Sequence, residues 1–271
     1  MRQHLKQIIK RWPIYVPLRN FLTKIREVLW YINGRPVPPP PSIKQRTLKH
    51  FAEQFQLRIL VETGTFFGDM VEAMKEQVDQ IYSVELSRKL HEKARDRFKH
   101  LQHIELICDD SGSVLRDIVR RLERPALFWL DGHYSEGVTA KGEKETPIFE
   151  ELDCILSAPD LGHVIIIDDA RCFGTDPAYP TIAELVESVT SRRPNVDISI
   201  RDDSIRIIPS KVPFGSRTAS SSSAIEPASR LPRGASVLFV NKRKRVEFFE
   251  RDRYRISGLG GRCGCNAGCT A

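Results

Sequence analysis

Between residues 58 and 210, short apolar runs rich in β-branched residues alternate with longer amphipathic stretches. This alternation is typical of parallel strands joined by helices, because each buried strand needs a covering helix before the next strand begins. The predicted strands are Arg58–Glu62, Ile81–Glu85, Ile104–Cys108, Ala126–Leu130 and Val164–Ile167. We therefore expect an α/β domain built on a parallel sheet.

Two more strands, Asp197–Arg201 and Ser204–Ile208, follow a helix predicted over residues 181–191. Only Asp202 and Asp203 separate them, which suits an antiparallel hairpin. The sequence thus predicts a Rossmann-like, doubly wound, mainly parallel sheet of seven strands that ends in an antiparallel hairpin. Ligands of such sheets bind beyond the carboxyl ends of the strands, near the point where strand order reverses.

The segments that flank this domain are basic, whereas the domain itself is acidic. Residues 1–50 hold 11 Lys/Arg and one Glu, residues 51–210 hold 19 Lys/Arg and 30 acids, and residues 211–271 hold 12 and 4. We predict a basic amphipathic helical extension over 1–35, a Pro-rich linker and leading helix over 36–57, the domain over 58–210, and a basic disordered tail over 211–271, in which Ser236–Val240 could add a strand. The helical spacing in the extension comes from Phe21, Leu22, Ile25, Val28, Leu29 and Ile32.

This charge distribution bears on partners and location. Because the positive charge lies outside the predicted domain, we do not expect nucleic-acid binding. For the N-terminal helix we favour docking onto the domain, or onto a second copy in a homo-oligomer, over lying in a membrane interface. No signal peptide or membrane span is recognisable, so we predict a cytoplasmic protein, with peripheral membrane contact as the alternative. Cys263, Cys265 and Cys269 lack a nearby histidine and make an incomplete zinc site.

The first predicted strand runs directly into Glu62-Thr-Gly64-Thr-Phe-Phe-Gly68, and a helix pattern follows. Two glycines allow the backbone to turn sharply and to approach a ligand closely. The spacing is not the dinucleotide fingerprint G-x-G-x-x-G, since Phe66 stands where the middle glycine would be, and no phosphate-binding Gly-Lys-Ser/Thr follows. At the end of the second strand, Glu85 could accept two hydrogen bonds from vicinal ribose hydroxyls.

Three carboxylates follow the fourth and fifth strands: Asp131, Asp168 and Asp169. Because parallel strands end at one edge of the sheet, these groups would repel each other and raise one another's pKa, so a bound cation or a basic partner is expected. Ligands that are all oxygen favour Mg²⁺. In the alternative interpretation, Asp168 or Asp169 caps the following loop or helix, and only one carboxylate contacts a ligand.

The arrangement of an acid followed by Gly-x-x-x-Gly resembles motif I of class I S-adenosylmethionine-dependent methyltransferases. The resemblance covers about residues 58–210. It implies that this turn lies under the methionine part of S-adenosylmethionine, that Glu85 holds the ribose, and that Asp110 or Ser111 contacts the adenine. The cofactor-binding residues implied by the match are Glu62, Gly64, Thr65, Gly68, Glu85, Asp110 and Ser111.

The Asp, then Asp-Asp, pattern resembles the metal site of the catechol O-methyltransferases and of the magnesium-dependent macrolide and aminocoumarin sugar O-methyltransferases. It implies Mg²⁺ at Asp131, Asp168 and Asp169. With Asp131, His133 is the candidate catalytic group, as a general base that titrates near neutral pH. The interpretation that His133 only orients Asp131 has equal weight.

The activity that the resemblance implies is O-methylation of a hydroxyl on a sugar or another small-molecule acceptor. The polar segment 135–147 is a candidate substrate lid, in which Lys141 and Lys144, with Arg171 after the fifth strand, could contact an anionic acceptor or simply be solvated. The fold alone does not exclude a nucleotide- or nucleotide-sugar-dependent enzyme, or a non-catalytic scaffold with basic ends that bind partners.

Overall fold

The structure is a computed structural model that describes residues 15–131, 147–210, 237–241 and 245–249. The helices are α1 Tyr15–Ile32, α2 Pro41–Gln54, α3 Asp69–Met74, α4 Arg88–Phe98, α5 Ser111–Arg120, α6 Ile148–Ser157 and α7 Ile182–Arg192, with a short 3₁₀ helix at Ala170–Cys172. The strands are β1 Ile59–Thr63, β2 Gln80–Val84, β3 Ile104–Ile107, β4 Leu127–Leu130, β5 Val164–Ile167, β6 Val196–Arg201, β7 Ser204–Pro209, β8 Val237–Asn241 and β9 Arg245–Phe249.

Seven strands form one sheet in the order β3-β2-β1-β4-β5-β7-β6. The first five are parallel, and β7 runs antiparallel to both β5 and β6. The chain builds outward from β1 to β3 and then crosses to the other side of β1 to place β4. Strand order therefore reverses between β1 and β4, and the crevice beyond their carboxyl ends is where a ligand is expected. The predicted doubly wound sheet with a terminal hairpin is confirmed.

The central strands are apolar without interruption because helices cover both of their faces. In β4, Phe128 and Leu130 pack with α5, α6 and α7, whereas Leu127 and Trp129 pack against α2, α3 and α4. The period of two along each strand divides the core into these two layers. The layers hold the strand ends in place, so that residues just after each strand share one edge.

The predicted hairpin turn is confirmed at Asp202 and Asp203, which have φ values of 51° and 61°. Both central residues of a two-residue turn of this kind need positive φ, and Asp tolerates it better than most residues. In the C-terminal segment, β8 pairs antiparallel with β9 and lies beside β6. β8 lies close to Ser236–Val240, where the sequence allowed a strand, and β9 at Arg245–Phe249 lies within the segment that was predicted as a disordered tail. The period-two apolar pattern of Val246 and Phe248 favours a strand despite the charged run before it.

The predicted N-terminal helix is confirmed as α1, and it contacts α2 by the side that carries Trp30. Trp30 is buried, and its Nε1–H donates to the Pro36 carbonyl oxygen at 2.7 Å. The predicted apolar side is exposed, so its docking onto the domain is not observed among the described residues. None of the helices in the described part of the chain is both long and apolar enough to cross a membrane.

Candidate active site

The turn between β1 and α3 depends on backbone conformations that favour glycine. Gly64 and Gly68 have φ values of 85° and 75°, and Phe66 between them has a φ of 51°. A Cβ at Gly68 would lie 2.5 Å from the Phe98 ring, so only glycine fits there without movement. The predicted sharp turn is therefore present, at the carboxyl end of the strand next to the reversal.

Glu85, immediately after β2, holds this turn in place. Its Oε2 accepts a hydrogen bond from the Phe66 amide at 2.7 Å, and its Oε1 accepts one from the Ser87 amide at 2.8 Å. Burial raises the pKa of Glu85, and the two amide donors counteract that effect. Each oxygen keeps acceptor capacity beyond its amide bond, so the fixed carboxylate could also receive a ligand diol.

Glu62 lies inside β1 and supports the turn from within the protein. Its Oε2 accepts from the Ser83 hydroxyl at 2.5 Å, and the Ser83 and Thr65 hydroxyl oxygens are 2.6 Å apart. Glu62 is only 1% exposed, and burial raises its pKa to about 8, with the Ser83 hydrogen bond as a partial offset. Glu62 therefore supports the turn indirectly, through the hydroxyl groups of Ser83 and Thr65. Ser83 was not predicted from the sequence, because one serine in an apolar strand gives no signal.

The residues predicted to contact adenine lie at the start of α5. Asp110 is partly buried and precedes the helix, and Ser111 is its first, buried residue. Glu151 of α6 lies against Ser111 and Thr63, and burial raises its pKa to about 7. A buried glutamate beneath the strand ends was not predicted, although a charged residue on the apolar side of a helix would have been the signal.

The structure brings the three predicted metal ligands together. One oxygen from each of Asp131, Asp168 and Asp169 lies within 4.8 Å of the others. The amides of Asp131 and Asp168 donate to Thr63 and Leu130 at 3.2 and 3.0 Å, which extends the strand pairing to the edge. Asp168 and Asp169 are buried, and Oδ1 of Asp168 has no hydrogen-bond partner among the described residues.

Lys44 of α2 provides a cation at this acidic cluster. Its Nζ donates to Oδ2 of Asp168 and lies 3.7 Å from Oδ1 of Asp169. Burial, together with Asp131, raises the pKa of Asp168 to about 7, against the opposing effect of Lys44. Although burial works to lower it, the pKa of Lys44 is raised overall, because the carboxylates favour the ammonium form.

Lys44 was missed in the sequence, where a basic partner was expected but not identified. Its spacing was the available signal, because Lys44 stands four and seven residues before Leu48 and Phe51, two apolar residues of α2. This places the lysine on the side of α2 that faces the sheet. The buried pair also joins the leading helix to the end of β5.

Arg171 is the second cation of the cluster. It bonds to Asp169 at 2.6 Å and also to Asp203 of the hairpin turn. The Arg171 guanidinium therefore ties the β5 end to the hairpin, whereas the sequence had left contact with an anionic acceptor and solvation as the alternatives. Asp169 directly precedes the 3₁₀ helix but makes no side-chain cap to it, so the capping interpretation is wrong for Asp169.

Several predicted features lie outside the described residues. They are the proposed base His133, the lid segment with Lys141 and Lys144, and the cysteines of the tail. Within the described residues, the glycine turn, Glu85, the start of α5 and the three aspartates all lie at the carboxyl edge of the sheet.

No protein-family profile matches the chain, and no curated protein matches it significantly. Among solved structures, the chain is similar to the O-methyltransferase TomG from Streptomyces achromogenes in complex with SAM, with 18% identity, a TM-score of 0.46, and 69% of this chain and 88% of that chain covered. It is also similar to an O-methyltransferase from Bacillus cereus in complex with SAH, with 15% identity and a TM-score of 0.49. This match covers 69% of this chain and 90% of that chain. A third is a caffeoyl-CoA O-methyltransferase-like protein from Staphylococcus aureus, with 11% identity, a TM-score of 0.44, and coverage of 71% and 96%. At these identities and scores, the function has to be argued from the side chains of the site.

Proposed function

We propose that this protein is an S-adenosylmethionine-dependent methyltransferase that acts on a hydroxyl of a sugar or another small metabolite. The observation that carries the proposal is the convergence at the β1–β4 reversal. There, the glycine turn and the carboxylate of Glu85 lie at the same sheet edge as the three aspartates. The half of this edge with the glycine turn and Glu85 suits a nucleoside with a free diol. The half with the three aspartates suits an acceptor hydroxyl that must lose a proton.

The cofactor half is supported by the fixed geometry of Glu85. Two backbone amides hold its carboxylate, so it loses little conformational entropy when it accepts further hydrogen bonds. Gly64 adds no side chain to the turn, which allows a ligand to approach the backbone closely at that position. The missing side chain at Gly68 instead makes room for the Phe98 ring. Asp110 and Ser111, at the end of the third strand, are the candidates for contacts with the adenine of the cofactor.

The acceptor half is supported by the oxygen-rich cluster. Its donors fit Mg²⁺, which prefers oxygen ligands and keeps several water or substrate ligands. Asp168 Oδ1 is buried without a hydrogen-bond partner in the described part of the chain. With Asp203 included, the four carboxyl groups, when ionised, exceed the cations of Lys44 and Arg171 by two charges, which one divalent ion would balance.

In the proposed reaction, the acceptor oxygen attacks the sulfonium methyl group in line, the new C–O bond forms, and the old C–S bond breaks to leave a neutral thioether. Most of the catalytic effect comes from holding the two reacting atoms close and collinear. A divalent ion bound by Asp131, Asp168 and Asp169 would supply Lewis acidity that lowers the pKa of the acceptor hydroxyl. The hydroxyl proton passes to Asp131 or His133, which we propose as the catalytic pair.

The first test is calorimetric titration of the full chain with S-adenosylmethionine, S-adenosylhomocysteine, NAD and UDP-glucose. We expect binding of the first two ligands only. Binding of NAD or UDP-glucose in their place would assign the site to a nucleotide- or nucleotide-sugar-dependent enzyme, and binding of none would contradict a nucleoside site.

The second test separates the metal from the cofactor. Transfer of a labelled methyl group to a metabolite extract should stop in EDTA, while S-adenosylhomocysteine still binds, because the proposed cofactor contacts are the turn and Glu85 and not the aspartates. Asp169→Asn removes one ligand charge at constant size, so kcat/KM should fall and recover partly at high Mg²⁺. Full turnover in EDTA would contradict a role for the metal and would leave Asp131 and His133 as the proposed acid–base pair.

A further inference from the structure

The outer side of α1 is an apolar stripe, which we define as Phe21, Leu22, Ile25, Val28, Leu29 and Ile32. These side chains are between 38% and 73% exposed. At about 100° per residue, they share an arc roughly 120° wide on one side of the helix. Apolar groups gathered on one side of a helix, and not scattered singly, indicate a surface that meets another apolar phase.

The opposite side of α1 is already occupied by the protein itself. Trp30 is buried there, about half a turn away from the centre of the stripe. Arg46 of α2 donates to Glu27 at 2.7 Å and to the Tyr31 hydroxyl at 3.0 Å. The helix is therefore attached by one side, and the attachment turns the apolar stripe outward.

Positive charge lies along the borders of the stripe. By helix geometry, Lys24 falls just beyond one edge and Arg26 just beyond the other, and both side chains are exposed. Residues 1–35 as a whole hold eight Lys/Arg and one Glu. Long basic side chains at the borders of an apolar stripe suit a helix in a membrane interface, where their stems lie in the apolar region and their charges reach the headgroups.

We infer that the apolar stripe of α1 binds the surface of an anionic lipid membrane. Charge disfavours pairing of the stripe with α1 of a second copy, because two such basic segments would repel each other when brought together. An anionic surface instead attracts them, and each Lys or Arg near it strengthens binding about fivefold. The helix would lie in the plane of the interface, with the domain held beneath it through Trp30 and Arg46.

The helix that holds α1 also contributes to the candidate active site. Arg46, which holds α1, stands two residues after Lys44, which bonds to Asp168. Both contacts come from the first turns of α2. α2 therefore links the helix that carries the apolar stripe to the acidic cluster.

The test is flotation of the full chain with extruded vesicles of phosphatidylcholine alone and of about two-to-one phosphatidylcholine and phosphatidylglycerol. We expect binding to the anionic vesicles that weakens as NaCl is raised. Lys24→Glu with Arg26→Glu should weaken it at least tenfold. The matched control, Arg88→Glu with Arg120→Glu, makes the same charge change at sites 87% and 71% exposed on other helices and should bind as the parent does.

Ile25→Ser with Leu29→Ser tests the apolar part, and should abolish flotation while circular dichroism and the melting temperature stay close to the parent values. The inference would be overturned if the parent bound no vesicles or bound neutral and anionic vesicles equally. It would also be overturned if the control variant lost as much binding as the Lys24 and Arg26 variant. A dimer in sedimentation experiments that this double variant dissociates, without any lipid binding, would assign the stripe to a second copy. Vesicle binding does not depend on methyl transfer, so either proposal can fail without the other.

Discussion

The Nζ of Lys44, in the first turn of α2, is hydrogen-bonded to Asp168 at the end of β5, 124 residues away in the chain. The side chain of Asp168 is 1% exposed and that of Lys44 is 19% exposed. A buried carboxylate with carboxylates beside it is costly unless a cation compensates it, and here the cation is part of the protein. This pair ties the leading helix to the acidic cluster and occupies one of the oxygens that would bind a metal.

Lys44→Met should therefore destabilise the metal-free protein and strengthen metal binding. Removing one partner leaves Asp168 uncompensated, although protonation limits the loss, so we expect about 1–3 kcal/mol. Millimolar Mg²⁺ should raise the melting temperature of the variant more than that of the parent, since the ion replaces the lost cation. Lys89→Met, at an exposed position of α4, is the control. Equal Mg²⁺ effects in all three proteins would show that Lys44 and the ion do not compete.

Glu85→Ala should weaken S-adenosylhomocysteine binding by roughly 1.5–3 kcal/mol, or at least about tenfold. The reason is the loss of a charged acceptor that two backbone amides hold in place. Calorimetry gives the dissociation constant, and a melting curve shows whether the variant is folded. Glu92→Ala, exposed on the neighbouring α4, should bind normally. An unchanged dissociation constant in folded Glu85→Ala would separate this residue from the cofactor.

Gly68→Ala should cost more stability than Gly34→Ala, although the two glycines have similar φ values of 75° and 79°. A Cβ at Gly34 meets nothing within 4 Å, so that variant measures the backbone cost alone, about 1 kcal/mol. At Gly68 the Cβ meets the Phe98 ring, which should add about 1–3 kcal/mol. Urea unfolding of both variants gives the difference. Equal losses would mean that the ring moves away freely.

Glu62 should make stability depend on pH in one direction. Its pKa is raised to about 8 in the folded protein from an ordinary 4.5, so the folded state favours the neutral acid. The contribution of Glu62 to the free energy of unfolding is complete below about pH 4.5 and is lost as the pH rises through 8. Between about pH 6 and pH 9 the parent should lose about 1–3 kcal/mol more than Glu62→Gln, which cannot ionise. Urea unfolding at both pH values measures this, with exposed Glu92→Gln as control. A Glu62→Gln variant with the parent's pH dependence would show that Glu62 is already ionised when folded.

The sequence by itself determined the sheet and most of its edge. Apolar runs and polar spacers fix which segments become strands, because a buried parallel strand tolerates few polar residues. Strand ends then follow, and with them the positions of Gly64, Glu85 and the three aspartates. The hairpin at Asp202 and Asp203 was also predictable from the sequence, because a two-residue turn is a local property of the chain.

Only the tertiary structure decided what surrounds these residues. The pairing of Lys44 with Asp168, and of Arg171 with Asp203, joins segments distant in sequence, and charge alone does not tell which cation meets which acid. Whether the apolar side of α1 faces inward or outward likewise depends on where Trp30 packs. Periodicity fixes which side chains share a face, because it reflects local geometry, whereas the partner of that face depends on how the elements pack in space.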